Sequence, residues 1–236
     1  MGKIGYGYGS EWHLLRFLGY HRGYLSKEVL KITGGKYINW LDFRFSKAAS
    51  HLNIDREFVG FNFIEDPEVI NRWKRFWPQT GSSQNWDAVG KIDYGDHFEW
   101  LLVEAKAHLK EVRSSCRAKS QKSIDIIKSA MQKTIYSFCN DRTSVEDWFS
   151  PYYRYANRLA SLHFLMKECD LVMPAHLLFI YFYGDYRPDN MCPQKEDDWH
   201  QIIEDMEAWL GIDKSGELNK RVHHLFLPVN PNQNSR

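Results

Sequence analysis

A chain of 236 residues has room for one well-buried domain and little room for two. Its 31 Lys and Arg against 30 Asp and Glu give a formal net charge of +1. That balance excludes the bulk basic surface of a protein that covers long nucleic-acid tracts, so any such contact must be local or short. Cys116, Cys139, Cys169 and Cys192 form no CxxC pair, which argues against a zinc ribbon, a redox motif or a disulfide scaffold.

The Gly-rich opening has no apolar core of a signal peptide, and the longest apolar run, 177–183, is too short to span a bilayer. The sequence reads as that of a cytoplasmic chain with no membrane partner. Ser10 is placed to cap a helix starting at Glu11, with Trp12, Leu15 and Leu18 as its buried side and Gly34-Gly35 ending the helical region. Residues 37–45 predict a first strand and 67–77 a short helix closed by Trp77-Pro78. The apolar runs 86–92 and 98–107, split by Asp93-Tyr94-Gly95-Asp96-His97, predict a hairpin.

A helix over 120–139 carries Ile124, Ile127, Met131, Ile135 and Phe138 on one stripe. A second, over 152–167, turns Tyr152, Tyr155, Ala156, Leu159, His163 and Met166 inward. The continuous apolar run 176–183 suits a strand covered on both faces. A helix over 196–210, stopped by Gly211, and a strand over 221–229 complete the chain. The order predicts one α/β domain over 1–236, a three-layer sandwich with helices on both faces of a mixed central sheet.

The chemistry centres on Glu104-Ala105-Lys106. An ExK triplet alone is weak, arising by chance about once in a few hundred residues. This one ends the strong apolar strand 100–103, where unpaired charges are costly to bury. Strand period puts Glu104 and Lys106 on one face. If Tyr94 pairs with His97, the hairpin register places Asp87 opposite Glu104, with Cβ atoms roughly 4.5–5.5 Å apart. Two carboxylates so close repel unless a cation lies between them, and a hard divalent ion, Mg²⁺ or Mn²⁺, answers that need. Lys106 would orient the attacking water, stabilise charge growing on phosphorus, or serve in proton transfer. The plain alternative is a solvent-edge Glu104–Lys106 salt bridge with Asp87 incidental.

The run from Gln84 to Gly90, with Trp86-Asp87, followed by Trp100 to His108 with Glu104-Ala105-Lys106, resembles the PD-(D/E)XK, or restriction-endonuclease-like, nuclease superfamily. Trp86 stands in the place of the proline after which that motif is named. The resemblance covers a core at about 10–185, with the helix and strand of 196–229 outside it. It implies Asp87, Glu104 and the Ala105 carbonyl as metal ligands and Lys106 as the catalytic lysine. It also implies an acid from the first helix, Glu11, with Glu28 as competitor. A metal-dependent phosphodiester hydrolase is expected, acting on nucleic acid, DNA ahead of RNA, with a homodimer as an option. The rival reading is a catalytically silent binding module on the same scaffold.

Arg113 and Arg117, followed by Lys119, Lys122 and Lys133 on the polar face of the long helix, are candidates for phosphate contacts, or else a plain solvated face. Arg154, Asn157, Arg158 and Ser161 share the polar face of the next helix, where, if that face turns toward the hairpin, Arg158 or Arg154 would clamp a phosphate, or else serve structure or face solvent. Gln84 in the loop before Asp87 is a candidate substrate contact, or only part of a connector. His108 lies two residues beyond Lys106. His223 and His224 alternate along a strand and so cannot face one site together.

Overall fold

The computed structural model describes residues 7–41, 58–79, 84–139, 143–169, 173–186 and 191–231. In chain order the elements are α1 (Ser10–Tyr20), α2 (Arg22–Thr33), β1 (Tyr37–Trp40), β2 (Phe58–Val59), α3 (Pro67–Phe76), β3 (Asn85–Trp86), β4 (Ala88–Asp93), β5 (Phe98–Lys106), α4 (Leu109–Val112), α5 (Gln121–Phe138), α6 (Tyr153–His163), β6 (Ala175–Tyr183), α7 (Asp197–Leu210) and β7 (Val222–Pro228). The main sheet runs β1-β4-β5-β6-β7, and β2 pairs with β3 separately. β4 is antiparallel to both of its neighbours, β1 and β5, whereas β5, β6 and β7 are parallel. The protein is therefore α/β with a mixed five-stranded sheet. Part of the strand expected over 37–45 lies outside the described residues.

Strand alternation sorts the sheet's side chains into two cores. One face, with Val89, Trp100, Leu102, Leu177, Phe179 and Tyr181, packs against α3, α5, α6 and α7. The other, with Ile92, Leu101, Val103, Ala105, Leu178 and Ile180, packs against α1 and α2. β5 is paired on both edges and is buried throughout except for Phe98. No helix among the described residues is long and apolar enough to cross a membrane.

Several boundaries follow from local chemistry. Asp66 caps α3, its Oδ1 accepting from Glu68 N at 2.8 Å and Val69 N at 3.3 Å. Gly211 ends α7 in the left-handed conformation at φ 68°. The helical region before Gly34 is two helices rather than one, broken at His21. The buried side of α1 is His13, Leu14, Phe17 and Leu18, not Trp12 and Leu15, which are 42% and 52% exposed. The stripe turns because Phe17 and His13 pack on Phe182 of β6, with ring centroids 5.3 and 5.4 Å apart.

At the end of the sheet where β5 begins, a second polar cluster ties three strands together. His176 Nε2 lies 2.5 Å from Glu99 Oε2, its Nδ1 lies 2.8 Å from His223 Nε2, and Arg221 also grips Glu99. As strand alternation requires, His224 faces the other side, 3.3 Å from the Tyr155 hydroxyl. Burial foremost, then the neighbouring His176, holds His223 down to about 4. Burial, partly offset by Glu207, holds His224 down to about 4 as well.

Both rings stay neutral in the folded state and take up protons more readily when unfolded. Their stabilisation is present above the ordinary histidine value and is lost as pH falls from about 6.5 to about 4. Relative to a His223→Gln/His224→Gln variant, the wild type is expected to lose roughly 2 kcal/mol more between pH 7 and pH 4.5 in urea unfolding, less than the full ~1.4 kcal/mol per unit because both rings keep some solvent contact. The same pH dependence in variant and wild type excludes this account.

Candidate active site

The hairpin turn sets the site. Tyr94 N donates to His97 O at 3.0 Å, and Gly95, at φ 103°, takes a conformation that a side chain would oppose. From that turn Ala88 pairs with Val103, and Asp87 N donates to Val103 O at 3.1 Å. The register continued by one residue sets Asp87 against Glu104. The expected convergence is present: Asp87, Glu104, Ala105 and Lys106 all line a cleft of about 840 Å³.

Its walls come from the start of α1, residues 77–78 and 84–87, residues 110–120, the first turns of α5 and one face of α6. Glu104 and Lys106 lie on the floor, 2% and 7% exposed, on the sheet face that carries Phe179 and Tyr181. Lys106 Nζ grips Glu104 Oε1 and donates to the Ala105 carbonyl at 3.1 Å. The other carboxylate oxygen of Glu104 accepts from Arg158, at 2.8 Å from Nε and 2.7 Å from Nη2. Asp87 Oδ2 accepts from Ala105 N at 2.7 Å. The salt bridge is thus buried rather than at a solvent edge, and Asp87 is hydrogen-bonded to the main chain between its two partners rather than incidental.

The two acids divide in their proton affinity. Burial pushes the Glu104 carboxyl upward, but Arg158 and then Lys106 outweigh it and hold the group at about 2. Burial, followed by repulsion from Glu104, lifts Asp87 to about 7 against the pull of Lys106. Asp87 still keeps part of its surface open to the cleft. Near neutral pH the pair therefore carries one firm negative charge and one that a cation would complete.

Arg158 is the residue the sequence pattern placed least well. It is 6% exposed and lies 4.7 Å over the Trp86 ring. Besides Glu104 it donates to the Asn85 carbonyl at 2.5 Å and to Asn157 Oδ1 at 3.0 Å. Trp86 in turn donates its indole N–H to Gly60 O at 3.0 Å. Trp86 is thus the stacking floor for the arginine. Gln84 is likewise buried, donating to Asn157 O at 3.1 Å and accepting from Ser161. Of the polar face of α6, Asn157, Arg158 and Ser161 are buried at the cleft and its underside, while Arg154 is exposed.

Arg113, Arg117, Lys119 and Arg154 line the cleft as exposed cations, as does Lys110. Lys122 and Lys133 do not belong with them. α5 begins only at Gln121, so Lys119 lies in the preceding loop; Lys122 is exposed outside the cleft lining, and Lys133 pairs with Glu168 at 2.6 Å. Glu11 lines the cleft, whereas Glu28 does not and pairs with Lys31 at 2.7 Å. His108 turns toward Glu111, 3.3 Å away, and stays out of the lining.

Glu111 was missed by sequence reasoning. It lines the cleft, accepts from Ala107 N at 2.6 Å and from Ser10 Oγ at 2.9 Å, and so joins α1 to the end of β5. Its sequence signal was an acid three residues after the residue that starts a short helix.

Among the described residues no three His, Cys, Asp or Glu side chains form a metal-ligand group by themselves. The donors at hand are two carboxylates and the Ala105 carbonyl. All are hard oxygens of the kind that Mg²⁺ or Mn²⁺ takes when water and phosphate complete the shell, so the residues fit such an ion. Comparison of the chain with protein-family models, with curated proteins and with solved structures gave no match.

Proposed function

We propose that the chain is a divalent-metal-dependent nuclease of the PD-(D/E)XK type, with a restriction-endonuclease-like core built from α1, the β1-β4-β5 meander, α5, α6 and β6. One observation carries the reading. Two acids from different strands, a main-chain carbonyl and a lysine meet on the floor of a cleft rimmed by cations. Asp87, Glu104 and the Ala105 carbonyl would hold Mg²⁺ or Mn²⁺. When bound, the ion lowers the pKa of a coordinated water and polarises the phosphoryl oxygen.

The residues of the chain do the rest. Lys106 would donate to the attacking water or to the oxygen that gains charge. Arg158 keeps Glu104 aimed and ionised. Arg113, Arg117, Lys119 and Arg154 bind the phosphates on either side of the scissile bond, with DNA favoured over RNA as substrate.

A silent binding module is the second reading, favoured by one fact: Lys106 and Arg158 already compensate Glu104 without a metal. Titration calorimetry with Mn²⁺, followed by incubation with labelled DNA, separates the two. Binding near one equivalent and cutting that vanishes in Lys106→Met support the nuclease. Nucleic-acid binding with no heat from Mn²⁺ would leave only the silent module.

A further inference from the structure

The depth of the floor and the charge of the rim together limit what can enter the cleft. Glu104 and Lys106 line the cleft yet are almost fully enclosed by the residues around them. A phosphodiester must therefore descend below the rim to meet them. Duplex DNA is stiff over about 150 base pairs, and its phosphates lie along the outside of that rod. A continuous duplex cannot lower one phosphate into such a cleft without parting its strands. A single strand has no such constraint and follows a charged groove readily.

The rim fits a short stretch of such a strand. Lys110, Arg113, Arg117, Lys119 and Arg154 are exposed, and none is ion-paired with a described residue. Elsewhere on the surface several cations are neutralised: Lys31 by Glu28, Lys128 by Glu146, Lys133 by Glu168 and Lys220 by Glu217. The cleft mouth thus keeps positive charge that the overall balance of +1 conceals. Four of the five cations lie within residues 110–119, and Arg154 stands on α6, so a strand crossing the mouth meets charge along its path.

We infer that the cleft takes single-stranded nucleic acid, or a frayed or tailed end, and not the body of a duplex. The inference rests on the nuclease reading for its reaction, but its strand preference can be measured apart from cutting.

The experiment uses the full chain and three fluorescently labelled probes: a twelve-residue oligothymidylate, a blunt hairpin duplex, and the same duplex with a single-stranded tail. Anisotropy in EDTA is expected to show the single strand and the tailed duplex binding at least tenfold tighter than the blunt duplex. With three to five phosphate contacts, log K should fall with log salt at a slope of about −2 to −3.5. Arg113→Gln/Arg117→Gln/Lys119→Gln should weaken the single strand about tenfold with thermal unfolding unchanged.

In Mn²⁺ the same order should hold for cutting. Equal or tighter binding of the blunt duplex overturns the strand preference and leaves the nuclease reading intact. Strand preference in EDTA with no cutting in Mn²⁺ overturns the nuclease reading and leaves the preference standing.

Discussion

Asp87→Asn is expected to abolish cutting and, in the same protein, to raise stability at pH 8 in the absence of metal. The two effects share one cause. The folded chain holds the Asp87 proton more tightly than the unfolded chain does, because burial and Glu104 lift its pKa from 3.8 to about 7. Ionising this group therefore costs the folded state progressively more as pH rises from about 4 to about 7, and the full cost persists above that. At ~1.4 kcal/mol per unit the upper bound is about 4 kcal/mol. The opening of Asp87 to the cleft reduces the expected gain to roughly 1–3 kcal/mol.

Asparagine keeps an oxygen to accept from Ala105 N and sheds the charge. The gain should shrink to about half a kcal/mol at pH 4, where the folded acid is protonated and the unfolded acid is about half protonated. Mg²⁺ or Mn²⁺ should stabilise the wild type, by an amount that grows with ion concentration, and leave the variant unmoved. Urea unfolding in EDTA at both pH values checks the first part. An asparagine variant no more stable than wild type at pH 8 shows that the acids are not in conflict, and the argument for a cation loses its physical basis.

Arg158→Ala is expected to be among the most damaging single changes in the chain. It strips Glu104 of two contacts, leaves the Asn85 carbonyl without its donor and uncovers the Trp86 ring. Removing one partner of a buried, hydrogen-bonded ion pair costs about 3–5 kcal/mol. Lys106 still compensates part of the charge, so the lower end of that range applies. Arg158→Lys should lose less stability, because it keeps the charge while giving up the planar stack and the simultaneous reach to Glu104 and Asn85. Chemical denaturation of the three proteins orders them wild type, lysine, alanine. A lysine variant no better than alanine would show that shape, rather than charge, is what Glu104 requires.

The hairpin was legible in the sequence because its turn announces itself and register arithmetic is exact once the turn is placed. Tyr94 opposite His97 carries the count to Asp87 opposite Glu104, and a slip of one residue would have sent either acid to the wrong face. α5 and α7 were legible through their apolar stripes and their ends.

Arg158 was legible as a candidate but not in its role. Helical periodicity assigns a polar residue to the side away from the core, and it has no means of showing that this side faces a cleft lined with charge. The same limit misplaced Lys122 and Lys133, which share a face of α5 but not the cleft wall that Lys119 lines from the preceding loop. Trp12 and Leu15 failed for a different reason. α1 is apolar around much of its girth, and which stripe it buries was decided by Phe182, a residue far away in the chain.

The segment 109–120, which supplies most of the cationic rim, lies outside the main sheet. It is fastened to the 149–153 stretch by Ser114 N to Pro151 O at 2.6 Å, Cys116 N to Phe149 O at 2.9 Å and Tyr153 N to Ser114 O at 3.1 Å. The acids and the lysine instead belong to the hairpin and to a strand paired on both edges. Under the proposed function, selection acting on the choice of target can therefore rewrite this bracket residue by residue, while Asp87, Glu104 and Lys106 stay under the separate and stricter discipline of the hydrophobic interior.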